Sequence, residues 1–211
     1  MKIISLTELN QSVALALVAE TLRGGGVAAV PTDTVYGLVC DARNEDAVGR
    51  MFAMKKRPEE KAFPIFVKDI VTARYFGYIS DAKARFLEKV WPGQVTVVFH
   101  HKEKLPVILT GGKDTIGIRI PDHSFGRELT ARLDFPLAQT SANVSSHPSA
   151  KTAAEAVKYF ENEAEQPDLI VDGGTLPSAP STVIDFTGNQ PLILRAGPIP
   201  KHKLDELLNS P

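Results

Sequence analysis

The stretch 115–121, TIGIRIP, constrains the fold most tightly. It alternates with the two-residue period of a β-strand, which sets Ile116, Ile118 and Ile120 on one face and Thr115, Gly117 and Arg119 on the other. Three isoleucines on one face require a buried layer beneath them. The opposite face carries a cation among small residues, which suits a carboxylate or phosphate, or an Arg on a half-exposed sheet. Such a strand needs neighbours, and the chain supplies them. VAAVP at 27–31, FPIFV at 63–67, VTVVFH at 95–100, PLAQTSAN at 136–143 and LIVD at 169–172 read as strands. STVIDF and LILRAG follow as late strands with a Gly-Asn turn between them.

Between the strands lie helix-period segments. The first runs over 7–23, with Leu9, Val13, Ala16, Leu17 and Leu22 near helical spacing, and Gly24, Gly25 and Gly26 stop it. Asn44 caps a helix over about 45–56 with Val48, Met51 and Phe52 inward, and Pro58 follows its end. Further helices are expected over 81–90, 123–133 and 152–162, and a short one closes the chain over 201–209. Strands and helices that mix without regular alternation predict an α/β fold. We expect a single domain over 1–211, core about 7–199, with a twisted mixed β-sheet and flanking helices.

A chain of 211 residues can bury a good core as one domain. Its net charge of −1 argues against a protein that coats polyanions, so any affinity for nucleotides must come from a local patch. The single Cys40 excludes an internal disulfide and a cysteine-built metal site, and fits a reducing, cytoplasmic setting. MKIISLTELNQ lacks the apolar core of a leader, and no apolar run approaches the ~20 residues of a membrane span.

Neither a P-loop nor a Gly-x-Gly-x-x-Gly turn after a strand is present, so a bound nucleotide must be held by side-chain cations. Lys55, Arg57 and Lys61 lie at a helix end and in the loop after it, where they can converge on phosphates or simply meet solvent and the helix dipole. Glu59 and Glu60 would neutralise part of that patch. In PTDTVYGL, Thr32, Thr34 and Tyr36 alternate like a strand end lined with hydroxyls. Ser141, Asn143 and Ser149 follow a strand, as phosphate or ribose ligands or as ordinary turn residues. Ser181 and Arg195 lie beside strand ends. The five histidines show no metal spacing, and no Gly-x-Ser-x-Gly nucleophile is present.

Taken together and in this order, PTDTVYGL, KKRPEEK, TIGIRIP, SAN with Ser149, STVID and LRAG strongly resemble the YrdC-like family of threonylcarbamoyl-adenylate synthases. The resemblance spans about 7–199 and looks like the short, single-domain form. It implies a positively charged concave sheet face, and a reaction in which L-threonine, bicarbonate or CO₂, and ATP give threonylcarbamoyl-adenylate and pyrophosphate. A tRNA-modifying transferase complex would then receive the product for the adenosine next to the anticodon. By the same resemblance Thr34 and Ser181 contact threonine and Arg119 clamps its carboxylate. Lys55, Arg57 and Lys61 would be the catalytic cations facing the ATP phosphates, with Thr115, Ser141, Asn143, Ser149 and Arg195 completing the nucleotide pocket. Mg²⁺ would travel mainly on those phosphates. Lys61 stands where many members carry Asn, and Phe66 where longer members place His near threonine. A tRNA- or double-stranded-RNA-binding module on the same basic face is the second reading, and a paralogue acting on another carbamoyl-adenylate the third. The aromatic content of 7% and the absence of interleaved aromatic and basic residues argue against a single-strand binder.

Overall fold

The computed structural model describes residues 1–7, 9–58, 60–176 and 179–209. Its elements in chain order are β1 (Lys2–Ser5), α1 (Gln11–Arg23), β2 (Ala28–Val30), β3 (Gly37–Asp41), α2 (Glu45–Lys55), β4 (Ile65–Phe66), α3 (Ile70–Phe76) and α4 (Asp81–Val90). The second half continues with β5 (Val95–His100), α5 (Val107–Thr110), β6 (Thr115–Arg119), α6 (Ser124–Arg132), β7 (Leu137–Ser141), α7 (Ala153–Phe160), β8 (Leu169–Asp172), β9 (Thr182–Asp185), β10 (Leu192–Arg195) and α8 (Lys201–Asn209). The strands form one mixed sheet in the order β1-β8-β2-β3-β7-β4-β6-β5-β9-β10.

How the two faces of the sheet are covered decides where a site can form. One face is covered along its length. There Leu38, Ile65, Val97, Ile118 and Ile184 share a core with Met51 and Phe52 of α2, Leu87 of α4 and Phe160 of α7. On the other face α1 and α6 bury Val30, Val39, Phe66, Leu137 and Val171 beneath Leu15, Val18, Leu22, Phe125 and Leu129. That second core takes residues from β2, β3, β4, β7 and β8, and none from β5, β6, β9 or β10. Past β4, therefore, four of the ten strands have a bare face. Phe66 pairs with Arg119 across the boundary, so the bare face is the one carrying Thr115, Gly117 and Arg119.

Local chemistry explains most element ends. The Asn44 side chain accepts from the Ala47 amide and caps α2, and Lys56, at φ 46, closes that helix in the left-handed conformation. Thr152 caps α7 in the same way.

Several expectations are corrected. The first helix starts at Gln11, because the Asn10 side chain accepts from the Thr7 amide and donates to the Ser5 carbonyl, tying the residue before the helix back to the end of β1. Its buried stripe is Ala14, Leu15, Val18, Ala19 and Leu22, while Leu9 is fully exposed and Val13 is 59% exposed. The hydroxyls of PTDTVYGL do not line a strand. Thr32 and Thr34 lie in the loop from β2 to β3, where Thr32 Oγ1 donates to the Val35 carbonyl at 2.6 Å. Tyr36 turns away from them, and its hydroxyl donates to the Gly174 carbonyl at 2.7 Å. Strands β1 and β3 and helices α3 and α5 were not anticipated. Glu59 lies outside the described residues.

Candidate active site

The bare face is the floor of a cleft of about 600 Å³. Thr96 and Val98 of β5, Thr115 and Gly117 of β6, and Val183 and Asp185 of β9 form the floor. Gly117 keeps it low: a Cβ there would sit 3.1 Å from both Pro64 Cβ and Thr96 Cγ2. The walls are mostly loops, namely Thr34 and Val35 after β2, Arg57 and 61–64 after α2, the segment after β7 that includes Asn143, His147 and Ser149, and Ser181, joined by Arg195 at the end of β10. Of the candidates read from the sequence, Thr34, Arg57, Lys61, Thr115, Arg119, Ser141, Asn143, Ser149, Ser181 and Arg195 all line this one cleft.

Arg119 is buried at its edge, 2% exposed, which replaces the half-exposed surface arginine. Nε donates to the Gly93 carbonyl at 2.8 Å and Nη2 to Asp33 Oδ1 at 2.6 Å. Nη1 reaches Thr34 Oγ1 at 3.4 Å, and the guanidinium lies 5.4 Å from the centre of the Phe66 ring. Arg195 donates through Nε to the Ser181 carbonyl at 3.0 Å and through Nη2 to Ser181 Oγ at 3.2 Å. Ser181 Oγ in turn shares a hydrogen bond with Thr96 Oγ1 at 2.9 Å. Arg57 holds its own loop, donating to the Lys61 and Ala62 carbonyls, with its guanidinium over Phe63.

The charges of these groups act on one another. Burial lowers the pKa of Arg57, and the charge of Arg195 adds to the shift. Burial lowers that of Arg195, with the charge of Arg119 adding to it. Burial likewise lowers Arg119, opposed by Asp33. Arg57, Lys61, Lys113, Arg119 and Arg195 line the cleft against a single carboxylate, Asp185, among the described residues. This surplus of positive charge is local, since the chain as a whole carries −1. It favours an anionic ligand.

Lys55 is corrected most strongly. It does not share the cleft surface with Arg57 and Lys61; it is 2% exposed beneath the segment that follows β7. Its Nζ donates to the Ser141 carbonyl at 2.7 Å, the Asn143 carbonyl at 2.6 Å and Asn143 Oδ1 at 2.8 Å. Asn143 Nδ2 then donates to the carbonyls of Val144 and His147, so Lys55 anchors the whole turn. The reason is helical geometry: Lys55 lies one turn after Met51 and falls on the buried stripe of α2. Burial, reinforced by the charge of Arg57, pushes its amine down to about 7. Lys56 points elsewhere and pairs with Glu163 at 2.9 Å.

Sequence reasoning passed over Asp33, Lys113, His147 and Asp185. Asp33 carried a usable signal, because an arginine on a sheet face near the core needs a counter-charge, and Asp33 is the acid of PTDT.

A cation-lined cleft on the open part of a mixed sheet defines an α/β protein with a site whose chemistry suits anions. The chain belongs to the Sua5/YciO/YrdC family: the family model, described as telomere recombination, matches residues 20–197. A threonylcarbamoyl-AMP synthase of Pyrococcus abyssi is 34% identical over 208 residues, covering 98% of this chain and 60% of that protein. This chain therefore spans about three fifths of that relative's length. A threonylcarbamoyl-AMP synthase of Pseudomonas aeruginosa is 37% identical over 177 residues, covering 82% of this chain and 92% of the relative. The crystal structure of Pyrococcus abyssi Sua5 complexed with L-threonine superposes with a TM-score of 0.93 at 31% identity, covering 99% of this chain and 61% of that one.

Proposed function

We propose that this chain makes threonylcarbamoyl-adenylate from L-threonine, bicarbonate or CO₂, and ATP, releasing pyrophosphate. The observation that carries the reading is the surplus of cations around one cleft, with Arg57 and Arg195 unmatched by any carboxylate among the described residues. The names of the two relatives and the threonine complex of Sua5 support the choice of reaction.

In this reading the threonine carboxylate takes N–H groups of Arg119 beside Thr34 and Ser181. The triphosphate lies against Arg57, Lys61 and Arg195, and Thr115, Ser141, Asn143 and Ser149 meet the rest of the nucleotide. The carbamate formed from threonine and CO₂ attacks the α-phosphorus. A P–O bond forms to the carbamate oxygen, and the bond to the bridging oxygen breaks, leaving its electron pair on pyrophosphate. Placement of the two substrates and neutralisation of growing negative charge are what the site offers. Lys55 serves by holding the Ser141–Asn143 turn, not by touching phosphate.

Mg²⁺ fits no cage here. Among the described residues Asp185 is the one cleft carboxylate, and no group of three or more His, Cys, Asp or Glu side chains converges. Magnesium would arrive on the ATP phosphates, keeping much of its water. The product would pass to a tRNA-modifying transferase complex, in the cytoplasm. No helix among the described residues is long and apolar enough to cross a membrane.

The test is pyrophosphate release with each substrate withheld in turn. Release should need L-threonine, bicarbonate and Mg-ATP together. Equal release without threonine would overturn the substrate assignment.

A further inference from the structure

Arg119 is the one cleft cation that a carboxylate meets among the described residues. Its partner Asp33 is 8% exposed at the side chain, and Arg119 2%, so the pair sits out of water. Asp33 Oδ2 is buried and has no hydrogen-bond partner. A buried carboxylate with one bare oxygen repels further negative charge strongly, because little solvent screens it. The Arg119–Asp33 pair is therefore close to neutral, whereas Arg57 and Arg195 meet no carboxylate among the described residues. The donors at Arg119 are not exhausted. A guanidinium has five N–H groups, and Gly93, Asp33 and Thr34 take three. Two remain, one for each oxygen of a carboxylate.

We propose that Asp33 is a specificity-determining residue that sorts the two anionic substrates within the cleft. By cancelling the charge of Arg119 it removes the attraction that would draw a polyphosphate there, and leaves a pair of donors that suits a single carboxylate. The polyphosphate is then confined to Arg57, Lys61 and Arg195. This rests on the reading of the cleft as a site for an amino acid and a nucleotide. It adds a role for a residue that touches neither.

The probe is inorganic pyrophosphate. In the parent, calorimetry should count one pyrophosphate per chain, and saturating L-threonine should leave that binding unchanged. Asp33→Asn keeps an acceptor for Nη2 and removes the charge. It should bind a second pyrophosphate, and pyrophosphate should become competitive with threonine, its inhibition constant against threonine falling about tenfold or more. The double variant Asp33→Asn/Arg119→Gln should return to one pyrophosphate. A variant that binds one pyrophosphate and keeps the parent's inhibition pattern overturns the proposal. So does displacement of threonine by pyrophosphate in the parent, a result that needs no variant to fold. If the parent shows no threonine-dependent turnover, the proposed reaction fails, yet the pyrophosphate count still decides the role of Asp33.

Discussion

Replacing Lys55 by methionine keeps an unbranched side chain in a buried slot and deletes the ammonium. The Asn143 carbonyl then loses its donor, while the Ser141 carbonyl keeps the Asn143 amide and Asn143 Oδ1 keeps Ser141 Oγ. Leaving a buried neutral acceptor unpaired costs ~1–3 kcal/mol. The pH dependence separates this from ordinary packing loss. The amine titrates at 10.5 when unfolded and at about 7 when folded, lowered by burial and by Arg57. Between those values the unfolded chain binds more protons, so the parent gains stability as pH rises, by up to ~1.4 kcal/mol per pH unit. Below the folded value both states are protonated and the slope vanishes. Methionine has no such slope. The stability gap between parent and Lys55→Met should therefore be smallest near neutrality and widen by roughly 3–5 kcal/mol toward the unfolded value. Urea unfolding across this range, followed by the fluorescence of the buried Trp91, measures it. A gap that stays constant or narrows with rising pH would refute the account, because Lys55 would then be charged throughout in the folded chain.

Three further outcomes follow from the cleft. Arg57→Ala should lower kcat/KM for ATP by roughly ten- to a hundredfold, the worth of one charge-assisted contact, in steady-state pyrophosphate release. Lys56→Ala should leave turnover unchanged and shift stability by no more than about 1 kcal/mol, since its pairing with Glu163 is exposed; a large loss of activity would place Lys56 at the site. Arg119→Lys should impair threonine-dependent turnover by about tenfold or more, because an ammonium cannot serve Gly93, Asp33, Thr34 and a ligand carboxylate together. RNA affinity in a salt titration should barely change in that variant, because that term counts charges.

What could be read from the sequence was what short-range geometry controls. TIGIRIP announced its two faces because alternation leaves the isoleucines one place to go, and Asn44 announced α2 because its cap is three residues away. The burial of Lys55 went unread although it continues the stripe of Val48, Met51 and Phe52 that the periodicity had already set inward. The first helix misled because apolar Leu9 and Val13 mimic a stripe that Asn10 cuts off. The burial of Arg119 was not legible. It depends on Asp33, Phe66 and Gly93, which come from three separate segments and reach Arg119 only in the assembled sheet. The bare face likewise follows from α1 and α6 stopping at β4, a consequence of strand order that no local pattern encodes.

The central claim is that one cleft joins threonine, a carboxyl carbon and an adenylate. The most direct measurement is mass spectrometry of the reaction with isotopically labelled bicarbonate, L-threonine and Mg-ATP, quenched within a few turnovers. The account predicts an adduct of threonine and adenylate carrying the labelled carbon, formed in step with pyrophosphate and missing when threonine is withheld. Pyrophosphate released without that adduct, or an adenylate lacking the labelled carbon, would contradict it.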